Sequence, residues 1–158
     1  VLDQVFVKVA AHLRALEDLR TSGSYCRRKH IILVGSGAYN PIHKVHLRLF
    51  YIARKFFEEH TDYAVLGGLV SPQHSTVVRG RYRFQPREII PPKHRLAMAR
   101  AIVGDSTWLT VDPWEITRRR GMDYLSTLDH VNKLFELYFP GMEVKIIYLC
   151  NVDQLLKL

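Results

Sequence analysis

The stretch His30–Phe50, HIILVGSGAYNPIHKVHLRLF, decides how the rest of the chain is read. Ile31 to Val34 is a short, unbroken apolar run of β-branched residues and leucine, the pattern of a parallel strand covered on both faces. Gly35 and Gly37 interrupt it, Asn40-Pro41 marks a turn, and from about Ile42 the apolar positions Val45, Leu47, Leu49, Phe50, Ile52 and Ala53 continue as a helix. Strand, glycine loop and helix start make a phosphate-binding layout. A helix N-terminus carries unsatisfied N–H groups and the positive end of a dipole, and glycines let backbone amides approach an anion closely. His43 and His46 are three apart, so on a first helical turn they share a face and can both donate hydrogen bonds to phosphate oxygens. Spacing alone leaves open a plain βα turn with two surface histidines.

The 158-residue chain is long enough for one domain with a real core, and its 47% hydrophobic content agrees. A formal charge of +8 favours an anionic partner: nucleotide phosphates, nucleic acid or an acidic membrane surface. Cys26 and Cys150, the two cysteines of the sequence, show no metal-ligand spacing and no disulfide framework, and the simplest inference is a reducing intracellular compartment, cytoplasmic or nuclear. Arg27, Arg28 and Lys29 follow Cys26 and would favour its thiolate, but an ordinary free thiol is the expectation. No apolar run approaches the ~18 residues of a membrane span, so no membrane partner is expected.

Leu2, Val5, Val9, Leu13, Leu16 and Leu19 fall on one face of an amphipathic helix that ends before Thr21-Ser22-Gly23. Residues 1–29 are accordingly read as an N-terminal helix and linker, and residues 30–158 as the main domain. Asp3, Glu17 and Asp18 argue against a mitochondrial targeting segment. Tyr63 to Val70 reads as a second buried strand closed by Ser71-Pro72. Gln73 to Pro92 reads as a long loop or a short hairpin. Its Arg79, Arg81, Arg83 and Arg87, with Tyr82 and Phe84 between them, would suit RNA by stacking and phosphate contact, but a solvated excursion is the expectation. A helix over 93–103, a strand over 108–111, a helix over 124–138 and a strand over 144–149 complete an α/β alternation. Its expected form is a Rossmann-like parallel sheet with right-handed crossovers. Ligands of such sheets sit beyond the carboxyl ends of the strands, where strand order reverses. The unusual polar residues lie at those ends: the glycine loop, Ser71-Pro72, Asp112 to Glu115, and Asn151 with Asp153.

These residues resemble a known family, the nicotinamide/nicotinate mononucleotide adenylyltransferases of the HxGH-type nucleotidyltransferase superfamily, in their eukaryotic form. Members open with a strand, then G-S-F-N-P, then after one residue His or Thr, and three residues further a second His. Here Gly37 to His46 match, followed by LRLF. The resemblance continues through Gly68 to Pro72, Pro91 with His94-Arg95, and Val111 to Glu115, and ends at Cys150-Asn151-Val152-Asp153, similar to the family's C-G-A-D. It implies adenylyl transfer from ATP to nicotinamide or nicotinate mononucleotide, giving a dinucleotide and pyrophosphate with Mg²⁺ assisting and no protein-held metal. The mononucleotide phosphate is already an anionic nucleophile, so catalysis reduces to alignment and charge stabilisation.

The same resemblance implies that His46 contacts the ATP phosphates and His43 assists. Gly37, Ala38, Tyr39 and Asn40 would offer the loop to ATP, with Arg87 as a phosphate clamp and with Asn151 and Asp153 at the nucleotide. Tyr124 and Thr127 would hold the pyridine ring. Trp114 is placed at the mononucleotide as well, with a core role as the alternative for it and for Trp108. His94 and Arg95 suit either a structural contact to the loop or a substrate contact. His30, His60, His74 and His130 are expected to be surface or satisfied core residues.

The chain departs from the family pattern at four points. Ala38 stands for serine, Asn151 stands for glycine, and the segment around Arg79 to Phe84 is longer. The family's I-S-x-T-x-x-R motif, whose serine and arginine hold ATP phosphates, does not occur. The expectation is a nucleotidyltransferase fold truncated on its C-terminal side, either a fragment or a shortened form, with an uncovered sheet edge favouring self-association. Two alternatives stand beside the leading one: a non-catalytic nucleotide- or RNA-binding relative, and another enzyme of the fold such as a phosphopantetheine adenylyltransferase. Nucleic acid is not the expected partner.

Overall fold

The computed structural model describes residues 3–21 and 29–155. Helix α1 (Asp3–Thr21) precedes β1 (Lys29–Gly37), α2 (Lys44–His60), β2 (Tyr63–Pro72), α3 (Ser75–Arg81), a 3-10 turn (Pro86–Glu88) and α4 (Pro92–Val103). Then come β3 (Leu109–Val111), α5 (Tyr124–Tyr138), β4 (Val144–Leu149) and the one-turn α6 (Val152–Leu155). Leu2 and Cys26, with the side chains of Val5, Leu16, Leu19 and Asp153, lie outside the described residues.

The four strands are parallel in the order β3-β2-β1-β4. Strand β1 is central and its residues Ile31 to Ser36 are buried, which is why the sequence reads there as an unbroken apolar run. Alternation of side chains across the pleat divides the core in two. Ile31 and Leu33 join Leu47, Phe50, Ala99 and Val103 under α2 and α4, while Ile32 and Val34 join Phe6, Val9, Val131 and Phe135 under α1 and α5. The result is a three-layer α/β/α sandwich with α1 part of its core. No helix of the described residues is long and apolar enough to cross a membrane.

One expectation fails locally. The segment after Pro72 is neither hairpin nor open loop: it forms α3 and the 3-10 turn. The cause is capping and burial. The His74 ring accepts the Thr76 N–H at 3.2 Å, and Val78 is fully buried. Strand β1 also runs through the first two glycines, ending at Gly37.

Candidate active site

The chain steps outward from β1 to β2 to β3 and then returns to the other side of β1 with β4. That reversal places a crevice at the carboxyl ends of β1 and β4, the position where ligands of open parallel sheets sit. A cleft of about 660 Å³ opens there, lined by residues 35–41, by one face of α2, by Arg81 and Tyr82, and by Leu149 and Asn151.

The glycine loop is shaped by close packing. A Cβ on Gly35 would lie 2.6 Å from the Phe50 ring, and one on Gly37 would lie 2.9 Å from the Tyr39 ring. Tyr39 is buried at φ +42°, and its hydroxyl donates to the Gly35 carbonyl at 2.9 Å. The Asn40 side chain is engaged at both ends: its Nδ2 donates to Glu88 O at 2.9 Å and its Oδ1 accepts Ile90 N–H at 2.7 Å. Asn40 thus moors the loop to the segment before α4 through its side chain.

Helix α2 begins at Lys44, two residues after the Ile42 expected from the sequence, with His43 as its N-cap in extended conformation. The two imidazoles still meet, with ring centroids 3.7 Å apart. His46 Nδ1 accepts the His43 backbone N–H at 3.0 Å. That bond fixes the neutral ring with its proton on Nε2, leaving Nε2–H as a donor. Burial, reinforced by His43, lowers the His46 pKa and keeps the ring neutral at pH 7. The edge of the ring meets Tyr39 at 5.2 Å, which holds its orientation.

Arg95 resolves the choice posed by the basic pair that opens α4. It is fully buried, and its guanidinium donates to Ala38 O at 2.8 Å, Gln73 O at 2.9 Å, Ile90 O at 3.2 Å and Ser75 Oγ at 3.3 Å. The role is structural, joining the glycine loop to α3 and to the start of α4. His94 is exposed and stands off the cleft.

Sequence reasoning gave Glu115 no separate role. It is 1% exposed, and its carboxylate accepts from Ser36 Oγ at 2.9 Å, His74 N–H at 3.4 Å and Thr127 Oγ1 at 3.4 Å. Three elements are thereby gathered beneath the cleft, where Ser36 is part of the floor. Burial pushes the Glu115 pKa up to about 7 against these hydrogen bonds. No sequence signal marks this clasp, because its partners lie 79, 41 and 12 residues away.

The other expected residues are distributed as follows. Ala38 and Asn151 line the cleft, and Asp153 sits on α6. Arg87 is exposed in the 3-10 turn and is not among the lining residues. Thr127 is fully buried against Glu115, and Tyr124 opens α5 with its ring 5.6 Å from Tyr148. Trp114 is engaged by its own chain: His130 stacks on it at 4.3 Å and the Arg118 guanidinium lies over its ring at 4.7 Å from the centroid. Trp108 is buried in the α2/α4 core and flanked by Tyr51 and Arg54. Among the described residues no group of three or more His, Cys, Asp or Glu converges to hold a metal ion.

Comparison with known proteins agrees with this geometry. The cytidylyltransferase-like family model matches residues 32–153. The chain is 33% identical to nicotinamide/nicotinic acid mononucleotide adenylyltransferase 2 of Danio rerio, over 69% of this chain and 34% of that protein. The Rattus norvegicus protein of the same name is 32% identical over 69% of this chain and 33% of its own length. A nicotinamide/nicotinic acid mononucleotide adenylyltransferase of Arabidopsis thaliana is 29% identical over 80% of this chain and 51% of that protein. The chain thus spans between a third and a half of the curated relatives it matches. With a parallel sheet reversing at the glycine loop and a family match running from β1 into α6, the chain belongs to the cytidylyltransferase-like family.

Proposed function

We propose that this chain carries the adenylyl-transfer site of a nicotinamide or nicotinate mononucleotide adenylyltransferase. A phosphate oxygen of the mononucleotide attacks the α-phosphorus of ATP, the bond to the β,γ-pyrophosphate breaks, and a dinucleotide and pyrophosphate leave. The attacking oxygen carries no proton, so no general base is required. What the chain must supply is donors aimed at the phosphates.

The observation that carries this reading is the state of His46. Its Nδ1 is occupied by the His43 N–H, so its Nε2–H is available to a phosphate oxygen at the glycine loop. His43 assists by fixing that tautomer, and the loop 37–40 approaches the α-phosphate. Arg87, Asn151, Asp153, Tyr124, Thr127 and Trp114 keep the nucleotide roles that the resemblance implies. For Thr127 such a role requires the buried hydroxyl to be uncovered when the ring binds. No described residue lining the cleft is a carboxylate, so the cleft does not fit a resident Mg²⁺. The ion would arrive as part of the Mg–ATP substrate. The names of the relatives favour a pyridine mononucleotide over phosphopantetheine as acceptor.

The test is dinucleotide formation from ATP, Mg²⁺ and either mononucleotide, with His46→Ala beside the parent chain. Product from the parent and a loss of at least a hundredfold in the variant is expected, on the scale of removing one transition-state donor. Equal rates in the two would refute the role of His46, and no product from the folded parent would refute the reading for this chain.

A further inference from the structure

We propose that Arg81, at the C-terminal end of α3, grips the β,γ-phosphate end of the nucleotide, which makes the arginine-bearing α3 a wall of the site. This rests on the adenylyl-transfer reading and adds the residue that takes the leaving group. Of the described residues lining the cleft, Arg48 and Arg81 are the fixed cations, and they come from two different elements. Among the described residues Arg81 makes no ion pair, and no carboxylate lines the cleft to neutralise it. Arg81 lines the same cleft as Leu149, the last residue of β4, and Asn151, which follows it, at the end where the crevice opens.

The position is also held in advance. Helix α3 is capped by His74, anchored by buried Val78, and joined to the glycine loop by Arg95, which bonds Gln73 O and Ser75 Oγ on one side and Ala38 O on the other. From a backbone so placed, the exposed Arg81 guanidinium can offer a phosphate two parallel N–H donors. Arg79 on the same helix does not line the cleft, and neither does Arg87.

The experiment measures binding of inorganic tripolyphosphate and of ATP at fixed salt to the full chain and to Arg81→Gln, Arg81→Lys, Arg79→Gln and Arg87→Gln, with circular dichroism confirming each fold. Arg81→Gln should weaken tripolyphosphate binding about tenfold or more, on the scale of a charged hydrogen-bonded contact. Arg81→Lys should restore part of it, and Arg79→Gln, which loses the same charge nearby, should remain close to the parent. Equal effects of Arg81→Gln and Arg79→Gln would overturn the proposal, as would a loss confined to Arg87→Gln or no tripolyphosphate binding by the parent. Dinucleotide formation is scored separately. Its absence alongside Arg81-dependent tripolyphosphate binding counts against the reaction and for the grip.

Discussion

Replacing Glu115 by Gln should change how stability depends on pH, and the direction follows from the site. Burial raises the folded-state pKa from 4.5 to about 7, so the folded chain holds a proton that the unfolded chain has released. The sign is therefore fixed. The contribution of Glu115 to stability is fully present below pH 4.5 and is lost as pH rises through about 7. A difference of this size corresponds to about 3 kcal/mol, most of it falling between pH 5 and pH 8. Glu115→Gln keeps the volume and removes the titration. Its unequal match to the Ser36, His74 and Thr127 donors shifts the baseline by an amount that does not depend on pH. Urea unfolding at pH 5 and pH 8 should show the parent losing about 2 kcal/mol more than the variant over that interval. Parallel pH profiles for the two proteins would refute the claim that Glu115 is buried with a raised pKa.

Other outcomes follow from neighbouring contacts. Arg95→Met should destabilise the chain by about 3 kcal/mol, because the buried carbonyl of Gln73 and the part-buried carbonyl of Ala38 lose their donor. Chemical denaturation measures the loss, and a change close to zero would contradict the structural role assigned to this arginine. Burial and then the Arg118 charge depress the His130 pKa to about 4, which NMR titration of the ring should detect. Because this shift is downward, the stability contribution of His130 is present above pH 6.5 and is lost as pH falls toward 4, the opposite sense to Glu115. A ring titrating near 6.5 would show that the stack on Trp114 does not shield it.

The strands were legible because a parallel strand covered on both faces leaves an unbroken apolar run, as Ile31 to Val34 and Tyr63 to Val70 do. The range 124–138 matches α5 because apolar periodicity follows one face of the helix, and 144–149 matches β4 because Ile147 and Leu149 pack into one core and Val144, Ile146 and Tyr148 into the other, which leaves a short apolar run. Helix α3 was not legible. STVVRGR is rich in β-branched residues and contains glycine, so its propensity points away from helix, and tertiary burial of Val78 with a histidine cap decides it. Of the site, the motif at the glycine loop showed where an anion would sit. What it concealed were the contacts made across the chain. The Arg95 guanidinium lies among the carbonyls of Ala38, Gln73 and Ile90, the first two of them 57 and 22 residues away. The Asn40 side-chain amide likewise reaches across 48 and 50 residues to Glu88 and Ile90. Pairings of that kind depend on where segments meet in space, which local spacing does not encode.

The central claim is that the glycine loop and the start of α2 receive the phosphates of ATP, and amide hydrogen exchange with and without Mg–ATP tests it most directly. Protection concentrated in residues 36–46, with a smaller effect at 149–151 and an exchange pattern that no longer responds to ATP in His46→Ala, is the predicted result. ATP-dependent protection that leaves residues 36–46 unchanged, or that persists undiminished in His46→Ala, would contradict the account.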